Sequence, residues 1–224
     1  MKILIACEES QRVCIEMRKL GHEAYSCDIQ EPSGGHPEWH ILGDVLGILN
    51  PKDRYGTVVQ GISFTTMDGV FHTFPEKWDM IIAHPPCTYL SNAGARHLYK
   101  GGELDQERFK KGLQAKQFFM QFYNADCKKI CIENPVPSRV YELPKYSQII
   151  QPCDFGHPYK KRTCLWLKGL RLLKPTNIVP RNECQSTKKA GNWFNKGSRD
   201  RQKNRAKTFP GIAKAMAEQW AGQA

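Results

Sequence analysis

Long apolar stretches are missing from this 224-residue sequence. No run approaches the roughly 20 residues that a helix needs to cross a bilayer. The first seven residues form a short apolar segment that leads directly into acidic residues, which is unlike a secretory leader. We therefore expect a soluble cytoplasmic protein that has no membrane partner.

Acidic residues are scarce relative to basic ones. The chain has 22 Asp and Glu residues against 33 Lys and Arg residues, and its formal net charge is +11. Positive charge in this excess favours a polyanionic partner, and nucleic acid is the first candidate. The alternative is a basic surface without such a partner. The length predicts one α/β domain with a proper core, and no internal repeat or second domain is indicated.

Closely spaced cysteine pairs are also missing, although the chain has nine cysteines. None of them forms the Cys-x-x-Cys pattern of a zinc knuckle, and the thiols of a cytoplasmic protein are expected to be reduced. A structural zinc site made from Cys127, Cys131, Cys153, His157 and Cys164 is the disfavoured alternative. We predict that the protein requires no metal.

The start of the chain has the pattern of a nucleotide-binding unit without its glycines. Residues 2–7 and 22–27 predict two strands, and the helix between them is predicted to be capped by Ser10 and ended by Gly21. Asp28 follows the second strand, where an acid can accept hydrogen bonds from ribose hydroxyls. A solvated loop carboxylate is the alternative. The missing Gly-x-Gly-x-x-Gly pattern argues against dinucleotide and pyrophosphate binding.

Two further features precede the centre of the chain. Asp44 follows Gly43 at another predicted strand end, so it is a candidate to meet the adenine of a bound nucleoside or, alternatively, to cap a helix over residues 46–49. Residues 55–75 predict a β-hairpin, because Asp68-Gly69 separates two runs rich in β-branched and aromatic residues. The hairpin either covers a site or forms an arm at the sheet edge, and the arm is the safer interpretation.

The central stretch of the chain places a cysteine after a buried strand. Residues 80–83 form a short apolar run, and Pro85 and Pro86 cannot donate the hydrogen bonds that would continue it. Cys87 is therefore expected just beyond the carboxyl end of the strand, where ligands bind in open α/β sheets. It is a candidate nucleophile, and the alternative is a buried structural thiol.

A carboxylate follows the next apolar strand in the same manner. After a helix predicted over about residues 105–124, residues 129–132 predict a strand that ends in Glu133-Asn134-Pro135. Burial at this edge is expected to raise the pKa of Glu133, which would let it donate a proton. The alternative is a carboxylate that caps the turn over residues 136–143.

Basic residues dominate two later segments. Residues 155–163 predict a basic turn that could hold a phosphate or a carbonyl oxygen, or that is simply a solvated hairpin end. Residues 173–207 lack periodicity and are expected to face nucleic acid, since they combine cations for phosphates with aromatic faces for bases; the alternative is a flexible basic loop. The residues concerned are Arg181, Lys188, Lys189, Trp193, Phe194, Lys196, Arg199, Arg201, Lys203, Arg205 and Lys207.

Together, three motifs resemble those of the DNA (cytosine-5)-methyltransferases in order and spacing. They are Pro85-Pro86-Cys87, Glu133-Asn134-Pro135 and the segment over residues 155–161. The chain resembles a compact, phage-type member of that family over most of residues 2–169. The resemblance implies a single Rossmann-like domain over residues 1–224, dependent on S-adenosylmethionine, with a mostly parallel sheet and helices on both faces. It also implies that the hairpin is a small insertion and that residues 173–207 replace a target-recognition domain.

The resemblance implies specific roles for individual residues. Cys87 matches the nucleophile that attacks C6 of cytosine, Glu133 matches the acid that contacts N3 and the exocyclic amine, and Lys161 takes the place of an arginine near O2. Asp28 and Asp44 match the acids that hold the ribose and adenine of S-adenosylmethionine. The remaining implied residues are Cys7, Glu8, Ser10, Ile29, Val45 and Pro85 for the cofactor, and Pro86, Ser91, Asn134 and Arg162 for a DNA substrate, either single-stranded or a short duplex.

Departures from the family pattern leave other functions open. Residues 6–10 replace the family's glycine-rich loop, and Tyr159 and Thr163 replace two residues of its arginine motif. A non-catalytic nucleic-acid-binding module would fit the altered first turn. An amino-methyltransferase acting on N4 or N6 is less consistent with His84 and Cys87 on either side of Pro85-Pro86. A thiol hydrolase would need a histidine with an orienting acid, and the sequence offers no convincing one.

Overall fold

The computed structural model describes residues 1–49, 61–186 and 201–223, and it builds them around one seven-stranded sheet. The predicted strand over residues 80–83 is confirmed. The strands are β1 (Lys2–Ala6), β2 (Glu23–Asp28), β3 (His40–Leu42), β4 (Ile62–Thr65), β5 (Phe71–Phe74), β6 (Met80–Ala83), β7 (Tyr99–Lys100), β8 (Glu103–Leu104), β9 (Lys129–Pro135), β10 (Gln148–Ile150), β11 (Tyr159–Lys160), β12 (Thr163–Lys168) and β13 (Gln185–Ser186).

Helices flank this sheet, and one of them continues into a wider turn. The helices are α1 (Arg12–Lys19), α2 (Leu46–Leu49), α3 (Asn92–Ala95), α4 (Gln106–Tyr123), α5 (Arg201–Ala206) and α6 (Pro210–Met216). A π-helical turn, Ala217–Ala221, extends α6. The long helix expected over about residues 105–124 is confirmed, with Asp105 as its N-cap and Asn124 as its C-cap. The part of the chain that the structure describes contains no helix long and apolar enough to span a bilayer.

The sheet is mostly parallel, which confirms the predicted α/β class. Its strand order is β10-β12-β9-β6-β1-β2-β3, and only β12 runs antiparallel to its neighbours. The chain builds outward from β1 to β3 on one side and then returns to place β6 and β9 on the other side of β1. The order therefore reverses between β1 and β6. In doubly wound sheets, ligands bind outside the carboxyl ends of the strands at such a reversal.

Helices cover both faces of the sheet, as predicted. Alternate residues of the central strands face opposite sides, so Ile3 and Ile82 belong to one buried cluster and Leu4 and Ile81 to the other. The first cluster includes residues of α1 and α6, and the second includes Phe119 and other residues of α4. Burial on both faces explains why these strands are nearly continuous apolar runs.

The predicted hairpin forms from β4 and β5, with Asp68 and Gly69 in the connecting turn. Phe64 and Phe74 pack against Tyr25 and Trp78, so the hairpin adds an aromatic cluster to the core beside β2. Its Met67 amide also donates to the carbonyl oxygen of a residue in β3, the edge strand. These contacts agree with an arm at the sheet edge. Residues 55–60 of the predicted excursion lie outside the described residues.

The start of α1 corrects one prediction. Ser10 does not cap the helix: the N-cap position is Gln11, which has a left-handed backbone and makes no side-chain capping bond. The carboxylate of Glu8 caps the helix instead, because it accepts hydrogen bonds from the amides of Val13 at 2.8 Å and Cys14 at 3.2 Å. A carboxylate at this end of a helix satisfies otherwise unpaired amides.

Candidate active site

A row of four residues crosses the edge of the sheet on both sides of the strand reversal. Ala6 is the last residue of β1 and pairs with Cys27 and Ala83, while Ala83 pairs with Ile132. The residues that follow these paired positions are Cys7, Asp28, His84 and Glu133. Because the strands are parallel and in register, these four lie side by side at one edge. The sequence correctly predicted that Glu133 and the segment of Cys87 share an edge.

Glu133 itself lies within a strand rather than after one. β9 extends to Pro135, because Glu133 pairs with Leu165 of the antiparallel β12. Its pairing with β6 ends one residue earlier, at Ile132, so the carboxylate still emerges beside the loop that follows β6. The prediction that the strand ends at residue 132 was right for the pairing with β6 and wrong for the pairing with β12.

The loop that carries Cys87 is tied to β9. The side-chain amide of Asn134 donates to the carbonyl oxygen of Pro85 at 2.8 Å, and Asn134 is only 1% exposed. The carbonyl oxygen of Cys87 accepts from the amide of Ser91 at 3.1 Å. The hydroxyl of Ser91 accepts from the amide of Gly94 and caps α3, so this predicted substrate-binding residue has a structural contact of its own. Pro86, in contrast, is exposed.

His84 and Glu133 form a buried pair. The Nδ1 of His84 and the Oε2 of Glu133 are 3.1 Å apart, and the side chains are 7% and 13% exposed. Burial alone would raise the pKa of Glu133, but the hydrogen bond from His84 and the charges of Lys161 and His84 outweigh it and hold this pKa below the usual value of 4.5. The expectation that burial leaves Glu133 protonated is therefore wrong. Burial likewise opposes charge on His84, but Glu133 and then Glu8 raise the pKa of His84 above 6.5.

Cys87 belongs to the same electrostatic environment. Burial and then the charge of Glu133 raise the pKa of the Cys87 thiol above 9.0, while the charges of Lys161 and Arg205 act in the opposite direction. The thiol is thus predominantly protonated at neutral pH in the absence of a ligand. Lys161 therefore acts on Cys87, whereas its neighbour Arg162 is exposed and lowers the pKa of Cys164.

The side chain of Lys161 is anchored by a residue of the predicted basic segment. Its Nζ donates to the carbonyl oxygen of Arg205 at 3.1 Å and lies 6.0 Å from the centre of the Phe209 ring. This contact brings the end of α5, part of the predicted basic segment, next to the site. Residues 187–200 of that segment, with Lys188, Trp193 and Phe194 among them, lie outside the described residues.

Acidic groups gather on the other side of the strand reversal. Burial, and then the charges of Asp28, Cys27 and Asp44, raise the pKa of Cys7, so both acids lie near its thiol. Cys7 has a left-handed backbone, with φ of 58°, and its amide donates to the carbonyl oxygen of Cys27 at 2.7 Å. Burial raises the pKa of the half-buried Asp28. Ile29, which follows Asp28, is 77% exposed.

Two of the acids also make local contacts. An oxygen of Asp44 accepts from the amide of Leu46 at the start of α2, as the helix-cap alternative predicts, and Asp28 accepts from the amide of Gln30. Each bond uses one carboxylate oxygen. Val45, predicted to bind the cofactor, is buried in the core. The fully buried Glu8 is occupied with the start of α1, and burial raises its pKa above 4.5.

Sequence reasoning missed His84 and Arg205 as parts of this site. His84 was noted only as the residue before Pro85, and the signal that could have identified it is its position directly after a buried strand, the same signal that singled out Glu133. Arg205 carries no local signal, because it is one of many cations in a segment without periodicity. Within residues 1–49, 61–186 and 201–223, no three His, Cys, Asp or Glu side chains gather into a group that could hold a metal ion.

Comparisons with known proteins find likenesses among solved structures. No family model matches the chain, and no curated protein matches it. A solved structure from E. coli, described as a candidate DNA modification methyltransferase encoded within a prophage, is 14% identical, with a TM-score of 0.40 over 80% of this chain and 52% of its own. The chain thus spans about half the length of that structure, and a likeness at this level carries no argument. The α/β fold is shown by the strand order itself.

Proposed function

We propose that this protein transfers a methyl group from S-adenosylmethionine to C5 of cytosine in DNA. The observation that carries the proposal is the convergence of Cys87, Glu133 and Lys161, which act on one another electrostatically at the carboxyl edge of β6 and β9. These are the nucleophile, the carboxylate and the cation that the family resemblance implies, and they come from three separate segments of the chain. A chance arrangement of three such groups beside the strand reversal is a weaker explanation.

The residues near the strand reversal fit the nucleoside half of the cofactor. The carboxylates of Asp28 and Asp44, which accept from nearby backbone amides, can also accept from ribose hydroxyls and an adenine amine. The exposed side chain of Ile29 offers an apolar face for the base. When bound, S-adenosylmethionine supplies a methyl group attached to a positively charged sulfur.

Cys87 and Glu133 make C5 of cytosine reactive. After the thiol of Cys87 has given its proton to water, the thiolate forms a bond to C6, and the electrons of the C5–C6 double bond move through the ring toward N3. A proton held at N3 by Glu133 and the positive charge of Lys161 near O2 stabilise the charge that develops there. C5 then forms a bond to the methyl carbon as the bond between that carbon and sulfur breaks, which leaves S-adenosylhomocysteine with a neutral sulfur. C5 then loses its proton to water, and the Cys87–C6 bond breaks. These two changes restore the C5–C6 double bond and the free thiolate.

The positive charge beside the site supports DNA as the substrate. Lys161 and Arg205 act on Cys87, and the exposed Arg162 follows Lys161 in a chain of net charge +11. Phosphate contacts are the main source of affinity for nucleic acids. A cytosine inside a duplex must leave the base stack before Cys87 can reach C6, whereas a single strand presents it directly.

The test uses an oligonucleotide in which 5-fluorocytosine replaces cytosine. With S-adenosylmethionine present, the fluorine at C5 prevents the final elimination, so the wild-type protein should form a complex that resists denaturation. Cys87→Ser should abolish it. Cys127→Ser is the matched control, because Cys127 is a buried thiol that donates to backbone carbonyl oxygens and a serine can do the same. An adduct that survives Cys87→Ser, or none with wild type on either single or double strands, contradicts the proposal.

A non-catalytic nucleic-acid-binding module is the second candidate. The observation that favours it is Glu8, whose carboxylate caps α1 at the turn where the family has its glycine-rich loop. Calorimetric titration with S-adenosylmethionine separates the two functions. Heat that disappears in Asp28→Ala supports the methyltransferase, and binding of DNA without any binding of S-adenosylmethionine supports the module.

A further inference from the structure

The His84–Glu133 pair is the most unusual arrangement of buried polar groups near the site. The two residues are 49 positions apart and meet because Ala83 and Ile132, which precede them, are paired between β6 and β9. Taking two ionisable groups out of water is costly unless each satisfies the other. The pair is therefore held in place by the sheet register, and neither side chain can leave without exposing an unpaired partner.

Charges surround the pair on both sides. Glu8, from the turn after β1, raises the pKa of His84, and Lys161, from the segment before β12, lowers the pKa values of both His84 and Glu133. Cys87 lies near Glu133 on the loop after β6. The negative Glu8 on one side and the positive Lys161 on the other favour a distribution in which His84 carries the proton and Glu133 is ionised.

The hydrogen bond between His84 and Glu133 uses only one of the two polar side-chain atoms of each residue. Only Oε2 of Glu133 contacts His84, so Oε1 remains for a substrate. The Nε2 of His84 is buried and has no hydrogen-bond partner among the described residues. Such buried unpaired atoms are uncommon in folded proteins, and they are most easily explained at functional sites.

We propose that His84 is a positioning residue that fixes the carboxylate of Glu133 and stores the proton that Glu133 delivers to N3 of cytosine. This inference rests on the proposed function. The proton moves from Nδ1 of His84 to Oε2 of Glu133, which becomes a neutral acid, and then from the carboxyl group to N3 as the Cys87–C6 bond forms. When that bond breaks, N3 releases the proton and the carboxylate returns it to His84.

The inference explains how an ionised Glu133 can serve a step that needs an acid. The proton is kept on the neighbouring imidazole, whose pKa is raised above 6.5, instead of on the carboxyl group, whose pKa is lowered below 4.5. Activity should therefore decline on the alkaline side as His84 loses its proton. A carboxyl group without this neighbour would lose its proton at a lower pH, so removal of the imidazole should move the alkaline decline in the acidic direction.

The experiment compares His84→Asn and His84→Phe with wild type. Asparagine keeps a hydrogen-bond donor near the position of Nδ1 but has no proton to store, whereas phenylalanine removes both functions. Single-turnover formation of 5-methylcytosine should be reduced at least about tenfold at pH 8 in His84→Asn, with substantial recovery near pH 6. It should be lower at every pH in His84→Phe. The exposed His97 gives the control His97→Asn, which should behave as wild type.

A spectroscopic measurement tests the pair without any substrate. In ¹⁵N NMR titrations, the imidazole signal that disappears in His84→Asn should titrate above the usual range in wild type and shift to lower pH in Glu133→Gln. An unshifted signal in Glu133→Gln, or a pH–rate profile that is unchanged in His84→Asn, overturns the inference. If wild type forms no 5-methylcytosine while the imidazole signal behaves as expected, the proposed function fails and the proton pairing of His84 with Glu133 stands.

Discussion

Asn134 holds the carbonyl oxygen of Pro85 at 2.8 Å, and this bond fixes the loop of Cys87 to the strand of Glu133. The two parts of the site are also joined by the sheet ladder that ends at Ala83 and Ile132 and by the contact between His84 and Glu133. Asparagine suits this position because its side-chain amide supplies a hydrogen-bond donor. Pro85 and Pro86 have no backbone N–H with which to tie the loop to the strand. The relative placement of thiol and carboxylate thus depends on a residue that need not touch the substrate.

Asn134→Ala should loosen the Cys87 loop. The change leaves a buried carbonyl oxygen unpaired, so we expect a loss of about 1–3 kcal/mol in the free energy of unfolding. The yield of the 5-fluorocytosine adduct should fall as well, because Cys87 is no longer held relative to Glu133. Denaturant unfolding and adduct formation measure the two effects. Asn124→Ala, at the exposed C-cap of α4, is the control and should leave the adduct yield unchanged.

Glu8→Ala should destabilise α1. Two buried amides lose their acceptor, which is expected to lower the free energy of unfolding by about 1–3 kcal/mol. Ser10→Ala should cost clearly less, since Ser10 does not cap the helix. Thermal and denaturant unfolding of the two variants provide the comparison. Equal losses in both would show that Glu8 has no special part in starting the helix.

Lys161→Met should make Cys87 less reactive. The charge of Lys161 lowers the pKa of Cys87 against the effects of burial and Glu133, so its removal should raise that pKa further and reduce the thiolate fraction. The rate of alkylation of Cys87 by iodoacetamide, followed by mass spectrometry, should fall several-fold at pH 8. Lys160→Met changes an adjacent exposed cation and should have little effect. A similar decrease in both variants would point to a general charge effect.

The buried pair should also make stability depend on pH. Protonated His84, whose folded pKa is raised above 6.5, stabilises the fold fully below that value, and this contribution is lost as the pH rises through the folded pKa. Ionised Glu133, whose folded pKa lies below 4.5, stabilises the fold above that value and loses its contribution as the pH falls through the folded pKa. Melting temperatures between about pH 6 and pH 9 should decline in wild type and less in His84→Asn. His97→Asn should retain the wild-type decline.

Much of the architecture followed from local patterns. The apolar run over residues 80–83, the Asp68-Gly69 turn and Asp105 at the start of α4 each have a cause within a few residues of sequence. Parallel strands ending at one edge then brought Cys87 and Glu133 together, because the doubly wound arrangement fixes which strand ends meet. For these features, short-range chemistry and chain topology agree.

The ionisation of the site could not be predicted in the same way. Burial alone suggested a protonated Glu133, and the opposite result comes from His84 and Lys161, which lie 49 and 28 positions away in the chain. The cap of α1 was assigned to Ser10 because serine is a common N-cap, whereas the unusual backbone of Cys7 and Gln11 lets Glu8 reach back to the helix. The contacts of Glu133 and of Glu8 depend on how the folded chain brings residues together, which a local sequence pattern does not reveal.

The common register of β1, β6 and β9 limits how this chain can be altered. Deleting one residue from β6 would preserve an apolar strand but would reverse which side chains face each layer, and it would pull the imidazole of His84 away from the carboxylate of Glu133. Deleting two residues would restore the faces yet draw the thiol loop inward by about two strand positions, roughly 6–7 Å. The number of residues in each of these three strands therefore decides which side chains meet at the edge. Only changes that keep all three strand lengths can leave the site intact.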